Sequence, residues 1–442
     1  MHLILLSGGS GKRLWPLSND SRSKQFLKLL DSDYSSTHKI SMIQRTWQQL
    51  QKAKLTKHAI ISTSKAQVEL IGSQLSSDIP LIIEPSRRDT YPAIVLACIY
   101  LYCVKKVPPD EVVVILPVDS YVENDFFYHV NHLEEAVLHS NADLALLGSK
   151  PTFPSEKYGY IVPNTSQPPS IHRSYQAVNY FAEKPNQEQA KVLLKEGALW
   201  NSGIFAFKLK FMLNHLEEKG WLLNYEEIIK KYDSLPKNSF DYEVVEKTNN
   251  IVVIPYKGQW KDLGTWNTLT EEMTTPLFGK GTISSDCENV HVINELDIPV
   301  SVLGLSNLVV AVSPDGILVS DKEASPRIKE IVNQFEQRPM YEERTWGWYR
   351  VLDYDNSNNN HEVLTKRIGV LSDKTLSYQK HFHLQLVWTI ICGTGLFTLN
   401  NKIKKVKTGD ILQIPLGVAY SIKAITDLEL IEVKIGVHLF HE

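Results

Sequence analysis

Apolar residues fall in two rhythms along this chain. Over roughly the first 150 residues, short apolar runs alternate with stretches of helical spacing. His2–Leu6 predicts a strand that stops at Ser7-Gly8-Gly9. Ile40, Ile43, Trp47 and Leu50 recur every three or four positions and predict a helix over 39–53. A strand is expected at 58–62, a helix at 66–75, a strand at 81–84 and a largely apolar helix at 90–104. Glu111–Pro117 (EVVVILP) has the β-branched middle of a strand covered on both faces, and 142–148 predicts one more. Strands alternating with helices imply a parallel sheet with crossover helices, an α/β layer fold that binds ligands at the strands' C-terminal ends.

The rhythm changes near residue 276. Residues 279–321 read as short strands separated by turns such as Ser313-Pro314-Asp315-Gly316, and 326–336 as one short helix. After Arg338-Pro339 the chain is strand-rich, with hairpin signals at Asn400-Asn401 and Thr408-Gly409-Asp410. Many short strands at regular spacing predict a small sandwich or barrel. No internal repeat of solenoid or propeller period is visible, and Asp353–His361 reads as a loop. The expected domains are 1–275, 276–337 and 338–442.

Composition narrows the class of protein. A length of 442 residues suits two or three domains, and 43% hydrophobic with 22% charged residues is globular, not disordered or collagenous. The net charge of -3 and the lack of a long Lys/Arg block argue against a nucleic-acid partner. Lys404-Lys405 reads as a solvated hairpin edge. Cys98, Cys103, Cys287 and Cys392 form no CxxC pair, which argues against a zinc ribbon or a disulfide scaffold. Cys98 and Cys103 are expected as buried free thiols. The first apolar run is too short for a signal peptide, and no run is long enough to span a bilayer. A soluble cytoplasmic protein with no membrane partner is expected.

The candidate chemistry starts after the first strand, at Leu6-Ser7-Gly8-Gly9-Ser10-Gly11-Lys12-Arg13-Leu14-Trp15-Pro16. Glycines let backbone N–H groups approach phosphates, and Arg13 adds matching charge. The loop lacks the Gly-Lys-Ser/Thr end of a Walker A motif. Its glycine spacing and Pro16 also exclude the dinucleotide-binding fingerprint.

The stretch resembles the signature of the sugar nucleotidyltransferases, which join a sugar 1-phosphate to a nucleoside triphosphate. It most resembles their mannose-1-phosphate guanylyltransferase branch. Further matching pieces follow in order: Ser23-Lys24-Gln25-Phe26-Leu27, Glu84–Ala93, Leu116-Pro117-Val118-Asp119, Tyr158-Gly159-Tyr160-Ile161 and Phe181–Pro185. Leu199–Phe205, Asp241-Tyr242 and Trp260–Trp266 complete a match that covers about 270 residues. The resemblance implies a Rossmann-like α/β nucleotidyltransferase domain with a mixed, mainly parallel sheet. It also implies an in-line attack by a sugar-phosphate oxygen on the α-phosphorus of GTP, giving GDP-mannose and pyrophosphate. A phosphate monoester has a second pKa of about 6, so this nucleophile is already ionised near neutrality. The site must then supply charge and alignment, which suits Gly, Arg, Lys and Asp side chains.

The resemblance assigns roles residue by residue. Asp119 and Asp262 would hold Mg²⁺, a hard cation that takes oxygen ligands; read singly, each is a turn residue or N-cap. Arg13 and Lys24 would contact the triphosphate and, with the two aspartates, form the catalytic set. Leu6, Gly8, Gly9, Ser10, Gly11, Arg88, Asp89 and Thr90 would line the nucleotide. Gly159, Tyr160, Glu183, Lys184 and Asn201 would take the sugar phosphate. Three positions depart from the family pattern: Ser23 for Pro, Asp89 for Asn and Ser120 for His. Asp89 also reads as the N-cap of the helix that follows it.

Arg344-Thr345-Trp346-Gly347-Trp348-Tyr349 resembles the opening of the type II phosphomannose isomerase domain, an all-β cupin barrel. Gln379–His383 and Gly409–Gly417 resemble its two metal motifs. Gln379 and His381 align with ligands, but Leu386 stands where Glu is required and Tyr420 where His is required. Leu384 replaces an Arg. Two protein ligands make a weak transition-metal site, so a structural barrel is expected.

The leading expectation is a Mg²⁺-dependent enzyme using GTP and mannose 1-phosphate, assembled as a homodimer. Alternatives are the same chemistry with another hexose 1-phosphate or nucleotide, an added isomerase activity in the cupin, or a non-catalytic subunit that binds nucleotide sugar.

Overall fold

The computed structural model describes residues 1–9, 11–32, 35–164, 174–335, 338–358 and 361–436, with backbone alone at 35–38, 357–358 and 361. The chain divides into two compact units that interleave in sequence. The first comprises Met1–Ser10, Lys24–Val68 and Asp78–Gly264; the second comprises Gly11–Ser23, Glu69–Ser77 and Thr265–Glu442.

Among the described residues, the first unit is built on one nine-stranded sheet. Its strands are β1 (His2–Leu6), β2 (Ala59–Ser64), β3 (Leu81–Glu84), β4 (Val112–Pro117), β5 (Leu144–Ser149), β6 (Tyr160–Pro163), β7 (Gln176–Ala182), β8 (Leu199–Lys208) and β9 (Ile251–Tyr256). They lie in the order β3-β2-β1-β4-β8-β5-β9-β7-β6. Seven run one way; β7 and β8 run against them. The sheet is thus mixed and mainly parallel, the arrangement expected of the first domain. The parallel half was legible as apolar runs. The insertion of β8 between β4 and β5 was not, because those two strands lie more than 50 residues upstream.

Helix α1 (Met42–Lys52) begins at a capping box, in which Ser41 and Gln44 satisfy each other's backbone N–H groups. Helix α2 (Thr90–Cys103) is apolar all round and sits in the core, with Ile94 to Ile99 fully buried. Its Cys98 thiol is buried, and burial pushes its pKa up; Cys103 is only half-buried.

The second unit contains two structures. Leu277–Phe278, His291–Asn294 and Leu308–Ser313 pair in parallel, as do Gly281–Ile283 and Val300–Val302. The chain therefore coils in short parallel turns around Val290, Val292, Val302, Leu308, Val310 and Val312. The sequence shows these strands but no repeat that would announce the coil.

The second structure is a two-sheet β-barrel of cupin type. Its strands are β10 (Tyr341–Arg344), β11 (Gly347–Asn358), β12 (His361–Val370), β13 (Thr375–Gln379), β14 (Leu384–Cys392), β15 (Thr394–Leu399), β16 (Lys402–Lys407), β17 (Ile411–Ile414), β18 (Tyr420–Ala424) and β19 (Leu428–Gly436). One sheet has the order β10-β11-β12-β19-β14-β17 and the other β13-β18-β15-β16. Residues Asp353 to Asn358, read as loop from their polar composition, extend strand β11. Asn400 and Asn401 turn the β15–β16 hairpin with positive φ at both positions.

Gly11–Ser23 is held within this second unit. The Arg22 guanidinium makes a two-pronged contact with Glu295, both bonds 2.9 Å. Asn19 Nδ2 donates to Asp315 Oδ2 at 2.6 Å, and Asp315 Oδ1 accepts from the Met340 N–H at 2.6 Å. Among the described residues, no helix is long and apolar enough to cross a membrane. Arg22 and Glu295 are both largely buried, and removing one partner of such a pair costs about 3 kcal/mol or more. Arg22→Ala is therefore expected to lower the thermal midpoint by several degrees in scanning calorimetry, and Arg22→Lys to recover only part of it, because an ammonium cannot reproduce the fork.

Candidate active site

Strand β4 delivers the chain to Asp119 at the C-terminal edge of the parallel strands. The next residues, Ser120–Val122, pair antiparallel with Trp260–Asp262, and Asp262 lies opposite Ser120. This two-stranded ribbon brings the two aspartates side by side. Helix α1 fixes the turn: Thr46 Oγ1 donates to the Val118 carbonyl at 3.2 Å and Gln49 Nε2 to the Val122 carbonyl at 3.1 Å. Tyr158 packs edge-on against both Trp200 and the ribbon residue Trp260, at 4.9 and 5.3 Å between ring centres. Burial and the Asp262 charge push the Tyr158 phenol up to about 12.

Lys24 lies on the one-turn helix Lys24–Phe26. Its neighbour Gln25 is buried and donates to the Ser7 carbonyl at 2.6 Å, which anchors that helix below β1. The Lys24 ammonium meets Asp119 Oδ2 at 2.9 Å and Asp262 Oδ1 at 2.8 Å. Burial opposes its charge, but the two carboxylates outweigh burial and hold it above the ordinary lysine range. Gly264 keeps the place open; a Cβ there would lie 2.9 Å from Asp262 Oδ1 and 3.2 Å from Lys24 Nζ.

A second cluster forms where β6, β7 and β8 meet. The Asn201 N–H donates to the Gly159 carbonyl at 2.8 Å, and the Lys184 N–H to the Tyr158 carbonyl at 3.2 Å. Gly159 leaves room for its neighbours, because a Cβ would stand 2.5 Å from Glu183 Oε2 and 2.7 Å from Phe181 Cζ. Glu183 Oε1 pairs with Lys184 Nζ at 2.7 Å, and Lys184 sits in the left-handed region at φ 46°. Asn201 Nδ2 donates to Asp241 Oδ1 at 2.7 Å, while Asn201 Oδ1 accepts from the Gly203 N–H at 3.1 Å. Burial, then the nearby Glu183 charge, push the Asp241 carboxyl up to about 7. Burial also raises Glu183. Asp241 was visible as part of a motif but had no role from sequence; its signal is an acid next to the core residue Phe240.

The structure thus brings together Lys24, Asp119 and Asp262, and separately Gly159, Glu183, Lys184 and Asn201. The Tyr160 side chain is fully buried, and its hydroxyl bonds the Ser155 N–H and carbonyl at 2.8 and 3.0 Å. Arg88 donates to the Leu235 carbonyl at 2.8 Å, and Thr90 Oγ1 accepts from the Phe240 N–H at 2.8 Å. Both tie the start of α2 to the 235–240 segment. Asp89 is the N-cap of that helix, at φ 71° with its carboxylate on the Thr90 N–H at 2.7 Å. Leu6 ends β1, Gly9 has a positive φ and open space, and Gly8 faces the buried Glu84 carboxylate, 3.5 Å from where its Cβ would be. Gly11 and the exposed Arg13 belong to the second unit. Ser10 lies outside the described residues.

In the barrel, Gln379, His381 and Tyr420 do converge. Tyr420 Oη donates to Gln379 Oε1 at 3.0 Å, and His381 Nε2 lies 3.4 Å from the same oxygen. Leu386 is buried. Among the described residues, no group of three or more His, Cys, Asp or Glu side chains is placed to hold a metal ion. One buried carboxylate was missed from sequence. Glu432 on β19 accepts from Trp388 Nε1 at 2.8 Å, lies 3.8 Å from Lys434 and sits opposite Lys366 in the ladder. Its signal was an interruption of period two: Leu428 and Leu430 share a face with Glu432 and Lys434, where alternation calls for apolar residues.

Comparison with known proteins identifies the family of each part of the chain. Residues 2–276 match the nucleotidyl transferase family, 282–335 a MannoseP isomerase/GMP-like β-helix domain, and 333–442 the mannose-6-phosphate isomerase C-terminal domain. The chain is 30% identical to the xanthan biosynthesis protein XanB of Xanthomonas campestris pv. campestris, over 99% of this chain and 96% of that one. It is also 30% identical to the mannose-1-phosphate guanylyltransferase RfbM of Salmonella typhimurium, over 99% of this chain and 94% of that one. A crystal structure named as a mannose-1-phosphate geranyltransferase, from Thermus thermophilus, superposes with a TM-score of 0.62 at 27% identity, covering 75% of this chain and 98% of that one. The chain therefore belongs to the nucleotidyl transferase family, in the group of mannose-1-phosphate guanylyltransferases that carry a mannose-6-phosphate isomerase C-terminal domain.

Proposed function

We propose that this protein joins mannose 1-phosphate to GTP, giving GDP-mannose and pyrophosphate. The observation that carries the reading is the convergence of Asp119 and Asp262 on one cationic point at the C-terminal edge of the sheet. The Lys24 ammonium marks that point, and two hard carboxylate oxygens suit Mg²⁺. When bound there, the cation would neutralise triphosphate oxygens and the leaving pyrophosphate.

The chain's own residues supply binding and alignment. The sugar-phosphate oxygen needs no base, since it is ionised near neutrality. Its bond to the α-phosphorus forms as the bond from that phosphorus to the bridging oxygen breaks, and the electron pair leaves with pyrophosphate. Lys24 answers the triphosphate charge. Lys184 answers the sugar phosphate, while Glu183 and Asn201 accept and donate to sugar hydroxyls. Asp241 orients the Asn201 amide, so its protonation state sets which hydrogen bonds Asn201 offers. The barrel contributes no isomerase chemistry in this reading. With Leu386 and Tyr420 at two ligand positions it lacks the donor set to polarise a sugar carbonyl.

Purified protein with GTP, UTP or dTTP and a panel of hexose 1-phosphates, followed by pyrophosphate release, is expected to favour GTP with mannose 1-phosphate. Asp119→Asn and Asp262→Asn are expected to lower kcat by about two orders of magnitude or more at an unchanged circular dichroism spectrum. Higher catalytic efficiency with UTP or dTTP would refute the base assignment. For Asp241, the folded protein holds the acid's proton to about pH 7, whereas the unfolded chain loses it near the usual aspartate value. The folded state binds more protons in that window, so stability falls as pH rises from about 4 to 7. Asp241→Asn is expected to flatten that fall in thermal melts taken across the window, and to remove the matching inflection from the pH profile of KM for mannose 1-phosphate. Interconversion of fructose 6-phosphate and mannose 6-phosphate is expected to stay at background with added Zn²⁺, Co²⁺ or Mn²⁺ in a coupled assay.

A further inference from the structure

We propose that Lys24 locks the carboxylate pair: in the nucleotide-free protein its ammonium fills the point on which Asp119 and Asp262 converge, and a triphosphate must draw it off before the pair accepts a divalent cation. This inference rests on the reading of Asp119 and Asp262 as the metal pair. The Nζ distances of 2.9 and 2.8 Å are those of two charge-assisted hydrogen bonds to one nitrogen. A divalent cation entering between the same two oxygens meets a positive charge already in place, and repulsion at such range in a part-buried site is strong.

The local build separates what is fixed from what can move. The backbone under Lys24 is pinned, because the Gln25 amide is bonded to the Ser7 carbonyl at 2.6 Å. The aspartates are pinned by the Ser120–Val122 and Trp260–Asp262 ribbon and by Thr46 and Gln49. The four-carbon stem of Lys24 is therefore the movable part. Gly264 puts no side chain beside the ammonium. A triphosphate offers Lys24 a more concentrated negative charge than either aspartate. Handing the ammonium to phosphate frees both carboxylates together, so cation and nucleotide arrive as one event and the free protein does not hold metal idle.

The test measures Mn²⁺ binding to the full-length protein by electron paramagnetic resonance, with no nucleotide present. Lys24→Met is expected to bind Mn²⁺ at least about tenfold more tightly than the wild type. Asp262→Asn in the Lys24→Met background is expected to abolish that gain. Inorganic tripolyphosphate, which carries no base, is expected to tighten Mn²⁺ binding to the wild type by more than its own Mn²⁺ affinity in solution explains. Lys24→Gln, checked by circular dichroism, replaces Lys24→Met if the latter does not fold. Equal Mn²⁺ affinity in the wild type and the folded variant would overturn the proposal, as would wild-type binding insensitive to tripolyphosphate. The measurement needs no turnover, so an inactive enzyme with the expected Mn²⁺ shifts would sink the guanylyltransferase reading and leave the lock standing.

Discussion

Two carboxylates held side by side repel each other unless a cation stands between them, and the first unit is organised around that constraint. Asp119 and Asp262 come from distant parts of the chain and are joined by a ribbon only three residues long. Lys24 satisfies both. Gln25, Thr46 and Gln49 are buried polar residues that would each cost stability if left unpaired, and each bonds to a backbone carbonyl next to the site. The site's accuracy therefore rests on the same hydrogen bonds that make its polar floor tolerable in a core.

The second cluster uses the opposite device. Glu183 and Asp241 are acids brought together with little solvent, and burial raises both. Lys184 answers Glu183 directly but is itself held in a left-handed backbone conformation that a lysine adopts at a cost. A neutral Asp241 makes the juxtaposition sustainable, because like charges at short range drive one partner to keep its proton. One centre is thus charge-balanced by the Lys24 ammonium and the other by a retained proton.

In the barrel, Tyr420 bonds Gln379 and packs on Trp388, and Leu386 is buried, so these positions serve the interior. Inside it, Glu432 is tied to Trp388 and set close to Lys434. A buried ion pair of this kind can cost as much in desolvation as it returns in attraction, so its partners, not the charges themselves, make Glu432 tolerable.

The sequence by itself determined the layer architecture of the first domain, the change to short strands after residue 276, the barrel, and the identity of Lys24, Asp119, Asp262, Glu183 and Asn201 as candidates. These are properties of local periodicity and of contiguous motifs, which travel with the chain. It did not determine the antiparallel entry of β8 into the sheet, the parallel coil of 277–313, or the membership of Gly11–Ser23 in the second unit. Those depend on pairings between residues far apart, whose energies no local pattern records. Nor did it reveal that the Tyr160 hydroxyl bonds Ser155, that Arg88 and Thr90 bond the 235–240 segment, or that burial raises the Asp241 carboxyl. Burial and the neighbours that burial supplies decide whether a polar side chain is a ligand contact or a structural bond, and only the folded chain sets both.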